Sequence, residues 1–298
     1  NLHLEILGLR DDCYHELAMV MQSISLNDIL DINFLDNDEI LLISNDKSLS
    51  CGEDNLIVRA ANLLKTEFGI NGIGAKINLT KNIPIGAGLA GGSSDAAATL
   101  IGLNSLWKLG LTNSELETVA SKLGSDVPFC ISGGTQLCFG RGEVLEPINN
   151  PLHSFSILLI KDPLVSVSTP WAYSKSREIN QAYYLTNEKE FEKKRNQLRE
   201  SKWLINSLPS IPPPLINDLQ TIVAPYYSQV DKALSILSSI PGTLASSMSG
   251  SGSSCFGLYS DLDQLSNICE QYNSIIESHG FQLWSCSFVN HGPEIFYE

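Results

Sequence analysis

The sequence is poor in basic residues and has no long apolar run, and both absences limit its possible partners. Its 298 residues contain 33 Asp and Glu but only 19 Lys and Arg, which gives a formal net charge of −14. Binding to nucleic acid or to an anionic membrane surface needs a basic face, so this charge balance argues against both. No apolar run reaches the roughly 18 residues of a transmembrane helix. We therefore expect neither nucleic acid nor a membrane as a partner.

The cysteines lack the C-x-x-C spacing of redox and zinc motifs. The seven that are present are scattered through the chain, and such an odd set is typical of reduced thiols in a cytosol-like compartment. A metal cluster built from them is not expected. The chain also begins at Asn1 without a methionine, which leaves open a segment removed upstream.

Three nucleotide-binding signatures are absent or incomplete. No Gly-Lys-Ser/Thr ends a P-loop, and neither the His-Arg-Asp nor the Asp-Phe-Gly of protein kinases occurs. A G-x-G-x-x-G match spans Gly86–Gly91, but a dinucleotide fold also needs a second strand that ends in an acidic residue about 20 positions on. A second helix pattern follows there instead. A dinucleotide-dependent oxidoreductase is therefore a weaker alternative.

What the chain does contain is a glycine-rich stretch, KNIPIGAGLAGGSSDAAA, at residues 81–98. A strand pattern precedes it and ends at Thr80, and a helix pattern begins at Asp95. The glycines between them let backbone N–H groups approach an anion, and Ser93 and Ser94 are predicted to cap the helix, whose N-terminus attracts negative charge. The stretch therefore predicts a phosphate-binding loop, with a flexible surface loop as the alternative.

The rest of the chain alternates strand and helix patterns, and its 43% hydrophobic content suits a globular core. Strands are predicted at 1–8, 19–24, 29–34, 40–43, 75–80, 156–161 and 282–289, with a hairpin at 133–145. Helices are predicted at 54–68, 95–106, 113–124, 187–207 and 261–278, and another from Ser125. Asn55 is expected to cap the first of these helices and Gly69 to close it, and Pro209–Pro214 to form a stiff connector.

Residues 84–97, PIGAGLAGGSSDAA, resemble the phosphate loop P-x-x-x-G-L-(G/A)-x-S-S-(A) of the GHMP kinases, which act on galactose, homoserine, mevalonate and phosphomevalonate. Two more segments match that family in the same order, GSDVPF at 124–129 and SGSGSS at 249–254. The resemblance implies an α+β fold with an N-terminal, ribosomal-S5-like α/β domain over residues 1–155 and a C-terminal, ferredoxin-like domain over 156–298. It also implies an ATP-dependent kinase that phosphorylates an alcohol of a small molecule.

ATP is the cofactor that the resemblance implies, accompanied by Mg²⁺, and the loop at 84–95 would hold its phosphates. Ser94 is the expected magnesium contact. Asn55 would border the adenine, although a role as helix cap alone is an equal alternative. The predicted ATP-binding residues are Pro84, Ile85, Gly86, Ala87, Gly88, Leu89, Ala90, Gly91, Gly92, Ser93, Ser94 and Asn55.

The resemblance implies two catalytic residues, Asp126 and Asn1. Asp126, in GSDVPF, would be the base that orients the acceptor hydroxyl and takes its proton. An aspartate in a first helical turn also serves the helix dipole, which is the structural alternative. Asn1 opens the first family motif, and the family's lysine two residues ahead of it lies upstream of this chain. We therefore expect a truncated terminus rather than an altered mechanism.

One branch of the family, whose substrate carries a cytidine diphosphate, is matched by Asn1 to His15. The match implies that Tyr14 and His15 hold the cytosine, through a stacking face and a ring nitrogen. Cys13 stands where that branch has glycine. A later match to the branch, S-T-x-x-x-(Y/F), implies that Thr169 and Tyr173 are further substrate contacts. Tyr173 would face Tyr14 across the base. The alternatives are that Tyr14 and His15 simply begin a strand and that Tyr173 is a core residue of a helix.

The glycine-serine segment at 249–254 would close on the substrate side of the phosphate loop. Ser249, Gly250 and Gly252 are its predicted substrate contacts, and a plain hairpin turn is the alternative. The expected partner is a small molecule with a cytidine diphosphate, bound by a monomer or homodimer in the bacterial cytoplasm or plastid stroma. Another small-molecule kinase of the family, or a nucleotide-binding regulator without turnover, would fit the same motifs.

Overall fold

The computed structural model describes residues 1–148, 155–205, 212–260 and 262–297. The chain divides into two compact units, each built from separate stretches of sequence. The first unit comprises Asn1–Ser25, Ile85–Leu89 and Gly134–Asn290. The second unit comprises Leu26–Pro84, Ala90–Gly133 and His291–Glu298.

Strands and helices alternate along the described part of the chain. The strands are β1 (His3–Leu9), β2 (His15–Gln22), β3 (Ile29–Leu35), β4 (Ile40–Ser44), β5 (Gly74–Thr80), β6 (Thr135–Gly140), β7 (Val144–Pro147), β8 (Ser156–Lys161), β9 (Ile216–Asn217), β10 (Ala245–Met248), β11 (Cys255–Tyr259) and β12 (Gln282–Ser287). The helices are α1 (Leu56–Phe68), α2 (Gly91–Leu106), α3 (Asn113–Ala120), α4 (Val127–Ser132), α5 (Thr169–Asn180), α6 (Glu188–Arg199), α7 (Lys202–Ile205), α8 (Asp218–Val223), α9 (Ser228–Ser239) and α10 (Leu262–Ser278).

The first unit contains two sheets. One has the strand order β7-β6-β2-β1-β9, and its central strand β2 is buried at every position except the last. The other has the order β10-β11-β8-β12, with all neighbouring strands antiparallel. Its strands and helices follow the β-α-β-β-α-β succession of a ferredoxin-like domain, with β8 inside the sheet and buried at all six positions. This confirms the predicted fold class for the C-terminal part of the chain.

The second unit packs helices on one three-stranded sheet, of order β3-β5-β4. Its core takes apolar residues from the inner face of β5, such as Ile77, and from helices α1 to α4, such as Leu64 and Leu100. The α1 helix is well terminated at both ends. The Asn55 side chain accepts from the Ile57 N–H, and Gly69 ends the helix in the left-handed conformation, as predicted.

Several predicted boundaries are wrong by a few residues. The helix predicted at 113–124 ends at Ala120, because the N–H groups of Lys122 and Leu123 bond three residues back and tighten the chain into a turn. The next helix begins at Val127 rather than Ser125. The helix predicted at 187–207 is two helices, α6 and α7, and its residues 206–207 lie outside the described residues. The first half of the predicted connector, residues 209–211, also lies outside them.

Among the described residues, no helix combines the length and the apolar character that a membrane span requires.

Candidate active site

The glycine-rich stretch turns sharply before helix α2. Gly86 and Gly88 have φ angles of 61° and 70°, and Ala90 has a φ of 53°. All three lie in the left-handed region, where glycine is favoured and alanine is uncommon. Ala90 is the N-cap of α2, so the prediction that the helix begins at Asp95 is wrong. Ser93 and Ser94 lie inside the helix and do not cap it.

The start of α2 therefore lacks the side-chain cap that was expected. The Ala90 side chain has no oxygen that could accept a hydrogen bond, and no side chain among the described residues caps the helix. The Ser94 N–H bonds to the Ala90 carbonyl, so the N–H groups of residues 91–93 are the ones without a helical acceptor. Such donors at a helix N-terminus suit a phosphate group. The stretch fits ATP on this observation.

Residues Ile85–Leu89, which belong to the first unit, contact the glycine-serine segment at 249–254. The Ser249 hydroxyl donates to the Gly88 carbonyl at 2.9 Å. The Ser254 N–H donates to the Ala87 carbonyl at 3.2 Å. A Cβ atom on Gly88 would lie 2.3 Å from the Ser249 carbonyl oxygen and 2.8 Å from the Gly252 nitrogen. Gly88 is therefore required for this contact as well as for its φ angle.

Side-chain hydrogen bonds hold the glycine-serine segment in place. The buried Asn217 amide donates to the Met248 and Gly250 carbonyls at 2.8 and 2.9 Å, and its oxygen accepts from the Leu219 N–H at the start of α8. The Thr169 and Ser251 hydroxyls, 2.7 Å apart, form a further hydrogen bond. Two predicted substrate-binding regions, around Thr169 and around residue 250, are thus joined. Asn217 was not predicted, although an Asn just before a helix pattern is a recognisable cap signal.

The predicted cytosine-binding residues separate into two environments. Tyr14 is 54% exposed, and the Arg141 guanidinium lies over its ring at 4.9 Å from the centroid. His15 begins β2, is buried and stacks on the ring of Tyr173, with a centroid distance of 5.2 Å and an interplanar angle of 29°. Tyr173 thus contacts His15. Its placement opposite Tyr14 across a base stays a prediction.

A third ring, that of Tyr184, completes the surroundings of His15. It meets the imidazole edge-on at 5.6 Å, and its hydroxyl bonds to the Ser176 hydroxyl at 3.2 Å. Burial, and then the charge of Arg177, lower the pKa of His15, so its ring is neutral near pH 7. The His15 Nε2 is buried and has no hydrogen-bond partner among the described residues. A ring nitrogen of this kind suits the polar edge of a bound base.

The turn before these residues is held by an ion cluster around Glu16. The Glu16 carboxylate is almost fully buried and contacts Arg10 at 2.7 Å and Arg195 at 2.6 Å. It also accepts from the Gly140 N–H at 3.1 Å. Cys13, in the same turn, has a φ of 66° and so keeps a conformation that favours glycine. Cys13 therefore keeps the left-handed backbone conformation that a glycine at this position would favour.

Asp126 lies at the N-cap position of α4, in the second unit, but its side chain makes no capping hydrogen bond with the described residues. Burial raises the pKa of this carboxyl above its ordinary value. A carboxylate with raised proton affinity, and not used by the helix end, is suited to accept a proton from an alcohol. In the first unit, the Asn1 amide donates to the Met19 sulfur at 3.5 Å.

Comparison with known protein families gives two matches. The model of the GHMP kinases N terminal domain matches residues 55–134. The model of the GHMP kinases C terminal region matches residues 192–277. The two matches lie in the order in which the family arranges these domains.

Relatives with curated names match nearly the whole chain. A 4-diphosphocytidyl-2-C-methyl-D-erythritol kinase of Synechococcus sp. is 53% identical over 295 residues, which cover 99% of this chain and 96% of the relative. A protein of the same name from Prochlorococcus marinus is 54% identical, covering 99% of this chain and 92% of the relative.

Solved structures give the same picture. A crystal structure of 4-(cytidine 5'-diphospho)-2C-methyl-D-erythritol kinase superposes with a TM-score of 0.73 at 28% identity, covering 98% of this chain and 97% of that one. The homoserine kinase of Cytophaga hutchinsonii has a TM-score of 0.67 at 20% identity, over 92% and 90% of the two chains. The second likeness concerns the fold alone.

Proposed function

Since this chain belongs to the GHMP kinase family, and there to the 4-diphosphocytidyl-2-C-methyl-D-erythritol kinases, we propose that it phosphorylates the 2-hydroxyl of that compound with ATP. The chain is an ATP-dependent small-molecule kinase, and ADP is the second product. The reaction belongs to the non-mevalonate pathway of isoprenoid biosynthesis. The observation that carries the proposal is the whole-chain match to relatives of that name.

The residues at 84–95 are proposed to hold the ATP phosphates. The N–H groups at 91–93 support this, because they have no helical acceptors and no side chain among the described residues caps the helix. ATP supplies the phosphoryl group, and Mg²⁺ spreads its negative charge during transfer. Ser94 is the proposed magnesium contact, and Asn55 the proposed neighbour of the adenine.

Asp126 is the proposed base. It would orient the 2-hydroxyl and hold the proton released as the phosphoryl group is transferred. Its raised pKa supports this role, since a base with higher proton affinity accepts the proton more readily. Asn1 is proposed to lie among the catalytic residues by its place in the first family motif.

The cytosine is proposed to bind at Tyr14, His15 and Tyr173, with Thr169 and the segment at 249–254 toward the rest of the substrate. The neutral, unpartnered Nε2 of His15 supports recognition of a base edge, and an aromatic stack contributes about 1–3 kcal/mol per base. Tyr184 and Asn217 join this proposal as supports of His15 and of the glycine-serine segment.

The domain boundary after residue 155 is kept as a proposal, supported by the family matches at 55–134 and 192–277 on either side of it. The cyanobacterial sources of the relatives favour the bacterial cytoplasm over the plastid stroma as the location. We propose a monomer or homodimer.

A coupled assay of ADP release tests the function. Cytidine-bearing and plain polyol acceptors are compared, using the chain as it begins at Asn1 and with the family's lysine restored two residues ahead. We expect turnover only with the cytidine-bearing acceptor. Turnover of a sugar, homoserine or mevalonate would assign another kinase activity of the family. ATP binding without turnover of any acceptor would indicate a regulatory protein.

A further inference from the structure

A buried ion cluster lies in the second unit, and two of its three side chains, Asp28 and Lys81, lie outside the residues so far assigned to the site. The Lys81 ammonium contacts the Asp28 carboxylate and donates to Asp95 Oδ2 at 2.9 Å. The three side chains are between 2% and 5% exposed. The other oxygen of Asp28 accepts from the N–H groups of Asn82 and Ile83 at 2.6 and 2.8 Å. Asp28 thus fixes the backbone that follows Lys81.

The cluster joins the two ends of the phosphate loop. Lys81–Ile83 lead into the loop, and Asp95 lies in the first turns of α2, where the loop ends. A Cβ on Gly91 would lie 2.9 Å from the Ile83 side chain and 3.1 Å from the Lys81 nitrogen, so the two ends are in close contact. We call Asp28, Lys81, Ile83, Gly91 and Asp95 the loop neck.

The chemistry of the neck is costly for a purely structural cluster. Two carboxylates share one ammonium, and Asp95 Oδ1 is buried without a hydrogen-bond partner among the described residues. A buried charge cluster of this kind is often no more stable than apolar residues in its place. A buried, fixed Lys81 is also unsuited to contact a phosphate itself. What the cluster does supply is a fixed distance between the strand side and the helix side of the loop.

We propose that Lys81, held by Asp28 and bonded to Asp95, is a positioning residue that fixes the start of α2 for phosphate binding. The inference rests on the proposed function to the extent that the loop binds ATP. The link to Asp95 orients the first turn of α2, so that the N–H groups at 91–93 meet the phosphates together. Misplacing such groups by about 1 Å can cost on the order of 100-fold in rate.

The decisive variant is Asp95→Ala. It cuts the link between Lys81 and α2, leaves Lys81 in a neutral pair with Asp28, and removes the unpartnered oxygen from a helix that tolerates alanine. We expect the dissociation constant of MgATP, measured by calorimetry, to rise about tenfold or more. We also expect the midpoint of thermal unfolding to equal or exceed that of the wild type. If the cluster served only stability, the dissociation constant of MgATP would stay unchanged and the midpoint of thermal unfolding would fall.

Two further variants make the test independent of folding losses. Asp95→Asn keeps an oxygen that can accept from Lys81, so it should restore most of the ATP affinity. Thr99→Ala is the matched control, because Thr99 is a buried polar residue on the same helix whose hydroxyl donates to the Asp95 backbone carbonyl. It should leave ATP affinity unchanged. Wild-type ATP affinity in Asp95→Ala would overturn the proposal.

The readout separates this inference from the proposed function. ATP binding is measured without an acceptor, so a wild type that binds ATP but does not phosphorylate the cytidine substrate refutes the acceptor and still tests the neck. In Asp95→Ala, a constant KM for the acceptor together with a higher dissociation constant of MgATP supports the positioning role of Lys81. A wild type that does not bind ATP refutes both proposals.

Discussion

The two glycine-rich loops of this chain are built in opposite ways. The segment at 249–254 is held by side chains, with serine hydroxyls and the Asn217 amide bonded to backbone carbonyls. The stretch at 84–95 has no such side-chain bonds at the start of α2, and its N–H groups at 91–93 have no helical acceptors. Its order comes from glycine conformations and from the loop neck. If the stretch at 84–95 binds an anion, as proposed, its unused N–H donors are kept for that anion, whereas the hydroxyl and amide donors around 249–254 are used within the protein.

The largest expected effect comes from the position where the two loops touch. Gly88→Ala places a methyl group 2.3 Å from the Ser249 carbonyl oxygen. Since this clash forces the two segments apart, we expect ATP affinity to fall at least about 100-fold. Gly110→Ala is the control. Gly110 has nearly the same φ, 72°, but no atom of the described residues lies within 4 Å of its Cβ position. If both variants lost ATP affinity equally, the cause would be the strain of a left-handed alanine and not the clash with Ser249.

Asp126→Asn tests whether binding and chemistry separate in the second unit. Removing the proposed base should lower kcat by at least about 100-fold, while calorimetry should show an ATP affinity close to that of the wild type. Unchanged kcat would remove Asp126 from the mechanism. Loss of ATP affinity in step with kcat would make Asp126 part of the phosphate-binding loop instead.

Asn217→Ala tests the supporting loop. The variant removes the amide donor to the Met248 and Gly250 carbonyls, which should lower the free energy of unfolding by about 1–3 kcal/mol. It should also raise the KM of the acceptor. Asn104→Ala removes a comparable pair of bonds, to Leu111, elsewhere in the chain. The acceptor KM should not change in that control, and a rise in both variants would trace the effect to lost stability.

The loop neck makes a prediction about pH. Burial raises the pKa of Asp95 to about 7 in the folded protein, against 3.8 for the exposed group. The folded protein therefore binds more protons than the unfolded one between these values, and this group's contribution to stability falls as pH rises from about 4 to about 7. Asp95→Asn removes that loss. The unfolding midpoint of the variant relative to the wild type should rise between pH 5 and pH 8, and a constant difference would contradict the shift.

The smallest expected effect concerns a third turn. Cys13 has a left-handed φ without being glycine. Cys13→Gly should stabilise the protein by about 0.5–1 kcal/mol, because it relieves the strain but adds freedom to the unfolded chain. Chemical denaturation measures the change. A loss of stability would show that the thiol makes contacts that matter more than its backbone.

Local signals predicted part of this structure well. The Asn55 cap, the Gly69 terminus and the strand Ser156–Lys161 each depend on a few neighbouring residues, and each is observed. The start of α2 was misplaced because two glycines in a first helical turn look like loop, and Ala90 shows no sign in the sequence of its left-handed conformation.

The residues that were missed depend on distant partners. Lys81 is paired with Asp28 and Asp95, 53 and 14 positions away. Asn217 contacts carbonyls 31 and 33 positions on. No local pattern marks such pairs, since each side chain by itself resembles an ordinary polar residue. The kinase motifs located the candidate loops, but the side chains that hold those loops became visible only in the fold.

If the nucleotide binds at the start of α2, as proposed, the missing cap makes it part of the protein's stability. Helices α1, α3, α5 and α6 each begin with a side chain that satisfies a backbone donor, from Asn55, Thr112, Ser168 and Asn187. In α2 we propose that the ATP phosphates take that place. A ligand at 100 times its dissociation constant adds about 2.7 kcal/mol to the folded state. ATP bound there would act as the residue that this helix lacks, and its removal would loosen the first turn of α2.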